Sequence, residues 1–214
     1  MQQKRNFQRE LDKLIAGLKP GEVPKLMLHG CCAPCSSYVL EYLSDYFDMT
    51  LFFYNPNIST QEEYDKRRDE VERLIALTPA KHSIKLVAPP WEPECFYNMA
   101  KGMEDVPEGG KRCFACYELR LRKTAELAKE MGCEYFTTTL SISPLKNSQK
   151  INEIGEKLAE EFGIKHLPSD FKKKEGYKRS IELSAKYDLY RQNFCGCVFS
   201  RLERKRKEEE NGIS

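Results

Sequence analysis

Leu26-Met27-Leu28-His29-Gly30-Cys31-Cys32-Ala33-Pro34-Cys35-Ser36-Ser37 is the stretch whose reading decides the fold. The apolar run Leu26-Met27-Leu28 reads as a buried strand. The pattern Tyr38-Val39-Leu40-Glu41-Tyr42-Leu43 that follows has helical period. Three cysteines therefore fall in the turn between a strand and a helix. In open α/β sheets ligands bind at such turns, because backbone N–H groups and the helix dipole converge there. A free cysteine can serve as a small core residue. Three thiols in five residues at a strand end point instead to metal or redox chemistry.

Outward from this turn the same alternation continues. Apolar residues at Phe7, Leu11, Leu14, Ile15 and Leu18 predict an N-terminal helix, stopped by Lys19-Pro20-Gly21. Lys25–His29 is the first expected strand, and the next helix is expected from about Ser36 to Asp45. Asp48–Tyr54 predicts a second strand. Ser59 with Glu62 suggests a capping box opening a helix that runs to about Leu77. Ser83–Val87 is expected as a third strand, and 91–116 as a less regular segment. Tyr117–Met131 then reads as a helix, Tyr135–Leu140 as a strand, Asn147–Phe162 as a helix and Lys165–Leu167 as a last short strand. A loop over Phe171–Ser180 and a helix over Ser180–Tyr190 precede a charged final helix. Strands alternating with helices predict an α/β fold, a Rossmann-like parallel sheet flanked by helices. The expected organisation is a single α/β domain over 1–214. It has an N-terminal helix at about 1–20 and a basic helical C-terminal extension at about 165–214 packed on the core.

The 214 residues include 35 Lys/Arg and 33 Asp/Glu, so the net charge is only +2. The basic residues are uneven: from Lys165 to Lys207 there are 13 Lys/Arg against 5 Asp/Glu. Such a segment suits a polyanion such as nucleic acid, or else is a solvated surface. Its candidate contacts are Lys172 to Arg179 with Arg201, Arg204, Lys205 and Arg206. No apolar run approaches the roughly 20 residues of a membrane span. The first residues lack the apolar core of a signal peptide, so a cytoplasmic protein with no membrane partner is expected.

Seven of the nine cysteines are clustered: Cys31, Cys32 and Cys35; Cys113 and Cys116; Cys195 and Cys197. In a reducing compartment these are not a disulfide framework. Two CxxC pairs could make a tetrahedral zinc site or hold an iron–sulfur cluster. The surplus of thiols and the position at a sheet edge favour the cluster. So does the adjacent pair Cys31-Cys32, since consecutive residues struggle to chelate one metal. Cys195-Gly196-Cys197 can close a small, strained and labile disulfide. His29 touches the cysteine turn and could donate a proton or hydrogen bond there.

Five strings carry a resemblance. They are His29-Gly30-Cys31-Cys32-Ala33-Pro34-Cys35; Tyr54-Asn55-Pro56-Asn57; Cys113-Phe114-Ala115-Cys116-Tyr117-Glu118-Leu119-Arg120-Leu121; Ser141-Ile142-Ser143-Pro144-Leu145-Lys146-Asn147; and Tyr190-Arg191-Gln192-Asn193-Phe194-Cys195-Gly196-Cys197-Val198-Phe199-Ser200. In this order, over about residues 22–202, the chain resembles the cobalamin-independent epoxyqueuosine reductases, the QueH family. The resemblance implies an iron–sulfur oxidoreductase. Its substrate would be tRNA carrying epoxyqueuosine at the anticodon wobble position. Such an enzyme removes the epoxide oxygen to leave queuosine and draws on an electron donor that the sequence does not identify. It implies a 4Fe–4S cluster on Cys31, Cys32, Cys113 and Cys116, with one additional iron nearby. It also implies a redox-active pair in Cys195 and Cys197. Cys35 and Cys197 would then be left near the cluster to ligate the extra iron, with Cys35 in the catalytic group.

Two alternatives make other predictions. A PP-loop-like ATP-dependent tRNA-modifying enzyme would share the sheet. Its first loop, however, is rich in glycine and serine to cradle phosphate, and here that loop carries thiols. A zinc-stabilised nucleic-acid-binding module would be colourless and hold one zinc.

Overall fold

Met27 and its neighbours Leu26 and Leu28 have no exposed surface, yet they pack into different cores on opposite sides of one sheet. That is the period-two alternation of a strand covered on both faces. In a computed structural model of the chain, which describes residues 5–210, this strand is the centre of the molecule. Five strands are present: β1 (Lys25–His29), β2 (Asp48–Phe52), β3 (Ile84–Val87), β4 (Tyr135–Thr138) and β5 (Lys165–His166). They pair in the order β3-β2-β1-β4-β5, all parallel.

Eight helices accompany them among the described residues: α1 (Phe7–Ala16), α2 (Ala33–Leu43), α3 (Gln61–Leu77), α4 (Pro93–Ala100), α5 (Lys111–Glu130), α6 (Ser148–Phe162), α7 (Gly176–Lys186) and α8 (Val198–Glu210). Leu40 and Leu43 of α2, Val71 and Leu74 of α3 and Leu11 of α1 bury one face with Leu26 and Leu28. Leu121 and Ala125 of α5, with Ile151 and Leu158 of α6, bury the other with Met27 and Phe136. The expected parallel α/β sheet is therefore the observed one. The chain winds outward from β1 to β3, returns, and restarts at β4 on the other side of β1. The carboxyl ends of β1 and β4 thus form a topological switch point, where a crevice opens.

Element boundaries differ from expectation in ways that bear on the site. α2 starts at Ala33, inside the cysteine run, because Pro34 fits a first helical turn where its missing N–H is no loss. The cap of α3 is Thr60, which accepts the Glu63 N–H at 3.2 Å, and not Ser59. Residues 91–116 contain α4 and the start of α5, so Cys113 and Cys116 lie within a helix and not before one. β2 ends at Phe52, and β4 ends at Thr138 in a 3-10 turn over Thr139–Ile142. α7 begins at Gly176, within the stretch expected as loop. It packs on α2, and a Cβ at Gly176 would sit 2.0 Å from the Phe171 carbonyl oxygen.

His166, on the edge strand β5, stacks obliquely on Phe136 and fills the space over Gly155. Both its ring nitrogens are buried with no partner among the described residues. Burial, helped by Arg5, pushes its pKa down to about 3. The unfolded chain therefore binds this proton more readily. The stabilising effect is complete above about pH 6.5 and is lost as pH falls toward about 3, at roughly 1.4 kcal/mol per pH unit. His166→Leu is expected to flatten the acid limb of the stability profile by about that slope in urea unfolding. An unchanged limb would contradict the assignment.

Candidate metal centre at the carboxyl ends of β1 and β4

The strand β1 ends on His29, and Gly30 carries the chain tightly over β2. A Cβ at Gly30 would lie 2.7 Å from Leu51 Cδ2. The Gly30 N–H donates to the Phe52 carbonyl at 3.0 Å, and the Gly30 carbonyl accepts from Asn55 Nδ2 at 2.9 Å. Cys32 then takes an extended conformation as the cap of α2. The result is convergence. The sulfurs of Cys31, Cys32 and Cys35 all lie within 4.8 Å of one another, and those of Cys31 and Cys32 are 3.9 Å apart. Two thiolates on one tetrahedral ion stand about 3.8 Å apart, from metal–sulfur bonds of about 2.3 Å. The extended backbone at the helix cap thus turns the sulfurs of two consecutive cysteines toward one point. Among the described residues this is the only group of three or more thiol, imidazole or carboxylate ligands so gathered.

The three thiols of the triad are electrostatically linked. The Cys31 thiolate is held well below the usual thiol range by hydrogen bonds from the Cys32 and Cys35 thiols and from Thr139. Cys32, as a donor to that thiolate, is pushed up to about 12, and Cys35 is pushed up for the same reason. Thr139 clamps Cys31 twice: its hydroxyl accepts the Cys31 N–H at 3.2 Å and donates to the Cys31 sulfur at 3.4 Å. His29 behaves differently from the sequence expectation. Its Nε2–H donates to the Tyr54 carbonyl at 3.1 Å, and its Nδ1 accepts from the Thr138 hydroxyl at 2.8 Å. The Tyr54 carbonyl can only accept, so the proton of the neutral ring is on Nε2 and Nδ1 must accept; the Thr138 oxygen also accepts the Leu140 N–H at 3.1 Å. Burial, then the Arg120 charge, pushes His29 down to about 3. It is a neutral brace between strands and not a proton donor.

Around the triad lies a cavity of about 210 Å³, lined also by Cys195, Arg120 and Lys146. Arg120 is fully buried on α5. Its Nε donates to the Cys116 carbonyl at 3.2 Å and its Nη1 to Asn55 Oδ1 at 3.4 Å, while Nη2 has no partner among the described residues. The Lys146 ammonium lies 3.5 Å from the Cys195 sulfur. Cys195, then Tyr117 and Cys31, raise its pKa against the effect of burial. Cys195 is held by its backbone: its carbonyl accepts from Arg67 Nη1 at 3.4 Å, and the Gly196 carbonyl accepts the Ser59 N–H at 3.0 Å. Gly196 has φ +113°, and a Cβ there would meet Arg67 Nη1 at 2.9 Å, so glycine is required between the two cysteines.

The other expected thiols stand apart from the triad. Cys116 is buried with Cys197, Phe96 and Ala100, and burial pushes it up to about 11. Cys113, also raised by burial, accepts the Gly109 N–H at 3.3 Å. Cys197 accepts the Ser200 N–H at 3.4 Å. All nine thiols are free, and Cys195 and Cys197 have different partners. Asn55, Arg120, Thr139 and Lys146 were given no role by sequence. Arg120 had a legible signal, as a charged residue within the stripe Cys116, Tyr117, Leu121, Thr124 and Ala125 that α5 buries.

Fold and site together define a class: a Rossmann-like α/β protein with a thiol centre suited to a metal at its switch point. Comparison with known proteins then narrows the class. The family model described as "Epoxyqueuosine reductase QueH" matches residues 26–203. A protein of Staphylococcus epidermidis named epoxyqueuosine reductase QueH is 44% identical over 206 residues, covering 94% of this chain and 87% of that one. One of Streptococcus pyogenes with the same name is 41% identical, covering 92% and 79%. One of Thermotoga maritima is 39% identical, covering 86% and 94%. The chain belongs to the QueH family of epoxyqueuosine reductases, which sets aside the ATP-dependent enzyme and the zinc module.

The triad predicts metal binding that can be read without turnover. Reduced, metal-free protein titrated with Cd²⁺ is expected to develop thiolate-to-metal absorbance in the ultraviolet. Cys35→Ser is expected to weaken binding by at least tenfold, as loss of one of three ligands should. Cys133→Ala is expected to leave the titration unchanged.

Proposed function

We propose that this protein reduces the epoxide of epoxyqueuosine at the wobble position of tRNA to the cyclopentene of queuosine. The observation that carries the reading, in a chain of this family, is one cavity lined by the Cys31, Cys32 and Cys35 thiols, by Cys195, by the buried Arg120 and by the half-buried Lys146. The reaction takes two electrons and two protons. Both C–O bonds of the epoxide break, a C=C bond forms, and the oxygen leaves as water. No helix among the described residues is long and apolar enough to cross a membrane. A cytoplasmic location accords with nine free thiols.

The donor set fits a soft metal: thiolates are the ligands of iron–sulfur clusters, and Arg120 and Lys146 supply positive charge beside them. In this reading Cys31, Cys32, Cys113 and Cys116 hold a 4Fe–4S cluster, which supplies low-potential electrons when bound. Cys35 and Cys197 are the candidates for an additional iron. Cys195 and Cys197 form a redox pair fed by a separate electron donor. The protein's own residues do the rest. Thr139 orients Cys31 through its N–H and its sulfur. Arg120 ties the Cys116 carbonyl to Asn55 and so links α5 to the turn after β1. Lys146 offers a cationic donor beside Cys195, suited to an oxygen that gains negative charge as the epoxide opens.

The gathered triad supports a second ligand set, in which Cys35 replaces one of the α5 cysteines. Iron and sulfide analysis with ultraviolet–visible spectra of anaerobically purified protein separates the two. Cys113→Ser is expected to lose most of the brown absorbance, and Cys35→Ser to keep it. The reverse pattern selects the second set. Cys195→Ser is expected to retain the cluster but lose turnover, and thiol trapping of oxidised wild-type protein should catch a Cys195–Cys197 disulfide.

The basic surface divides into cations with and without a carboxylate partner. Lys172 pairs with Asp170, Lys174 with Asp12 and Arg204 with Glu208, so these cations are already engaged. Arg191, exposed at the cavity, and Arg201 and Arg206, exposed on α8, have no carboxylate partner among the described residues. Replacing these three by alanine is expected to weaken tRNA binding and to reduce the slope of log K against log salt by about two to three. An unchanged slope would return this surface to a solvated role.

A further inference from the structure

The turn that carries Lys146 into the cavity leaves its neighbour in water. Leu145 is 78% exposed, against 48% for Leu202, the next most exposed large apolar side chain among the described residues. Leu145 and Lys146 both line the same cavity, so the turn presents an ammonium to the thiols and an isobutyl group to the rim. The turn is fixed at both ends. Ser143 accepts the Leu145 N–H on its hydroxyl at 3.3 Å and the Lys146 N–H on its carbonyl at 3.2 Å. Asn147 caps α6 by accepting the Lys150 N–H at 3.0 Å. Leu145 is therefore held outward by a braced backbone. Tyr177, 37% exposed at the start of α7, lines the cavity as well.

We propose that Leu145 is an apolar rest for a nucleobase of the anticodon loop, the one next to the modified nucleoside, with Tyr177 as a second contact on the rim. This rests on the reading of the cavity as the site for the wobble nucleoside. A cavity of about 210 Å³ is too small to take in more than one nucleoside, so the neighbouring bases stay at the mouth, where Leu145 stands. The charge of the lining selects the occupant. Arg120, Lys146 and Arg191 face it, and Glu108 is the one carboxylate that lines it. Such a rim suits a polyanion with flat apolar faces over an acidic or neutral protein surface. When the modified nucleoside turns into the cavity, the base beside it loses a stacking partner. A fixed apolar side chain replaces part of that contact whatever the base.

The test uses an anticodon stem–loop RNA carrying epoxyqueuosine. Leu145→Ala is expected to raise its Kd and KM about tenfold with little change in kcat. Leu145→Met should restore both, and Leu77→Ala, an exposed leucine remote from the cavity, should match wild type. Emission of Leu145→Trp should change on adding the RNA, above the baseline of the native Trp91, whose indole is hydrogen-bonded to the Ile58 carbonyl. The inference is overturned if Leu145→Ala binds the RNA as wild type does and the new tryptophan is silent. It is also overturned if the substitution raises KM only for the protein that donates electrons, which would make Leu145 part of a protein dock. Wild-type protein that binds the RNA but never reduces it would instead overturn the functional reading. The binding and fluorescence arms would still decide the role of Leu145.

Discussion

Positive charge removed from water without a carboxylate to meet it is the constraint on which this site depends. Arg120 is fully buried, and Lys146 has the Cys195 sulfur as its hydrogen-bond partner. An isolated buried cation costs several kcal/mol, so such groups persist where they face negative charge. Here the negative charge belongs to thiols. Cys31 is drawn toward the thiolate by its neighbours, and Arg120 and Lys146 feel both Cys195 and Cys31. The cations and thiols are thus one electrostatic unit. An arginine–carboxylate pair at Arg120 would have been better satisfied locally and would have left the thiols without counter-charge.

The fold supplies the place for that unit. Because the strand order reverses beside β1, the turns after β1 and β4 meet with no crossover helix between them. The turn after β1 brings Cys31, Cys32 and Cys35, and the turn after β4 brings Thr139 to clamp Cys31. His29 and Thr138, paired residues on adjacent strands, are hydrogen-bonded beneath them as a neutral floor. Asn55, just beyond β2, bonds both the Gly30 carbonyl and Arg120. Three consecutive sheet neighbours therefore fix the cysteine turn, and none of these contacts depends on a flexible side chain reaching across solvent.

The sheet was legible because its strands are short apolar runs bounded by turn residues, and the cysteine strings were legible because spacing alone marks them. What was not legible was helix onset in unusual company. Pro34 and a non-polar cap hid the first turn of α2, and residues 111–116 carry no cap side chain to announce α5. The same blindness misplaced the chemistry. Whether adjacent cysteines share a point in space depends on the backbone at Cys32, which composition does not report. His29 looked like a proton donor beside thiols, and only its two hydrogen bonds reveal a brace. Thr139 and Lys146 act through approach across the switch point, from more than 100 residues away in sequence for the Thr139–Cys31 pair.

The thiols of the turn after β1 and those of the segment before α8 have different mechanical standing. Cys31, Cys32 and Cys35 sit on the turn after the central strand, the cap of α2 and its first turn, held by the Gly30 backbone bond to β2 and by Thr139. Cys195 and Cys197 sit on a segment tied down by contacts with α3 and the residue before its cap: Arg67 to the Cys195 carbonyl, Ser59 to the Gly196 carbonyl, and the Arg67–Glu63 pair behind them. Arg67 is itself buried, so this tie is a charge-assisted one and stronger than a surface bond. Yet it holds the backbone and leaves both sulfurs free of it, one toward Lys146 and one toward Ser200. A rigid turn suits a bound centre whose geometry must not change. A segment with a pinned backbone and independent thiols, joined by a glycine at positive φ, suits a pair whose sulfurs must approach and part without the segment leaving its seat.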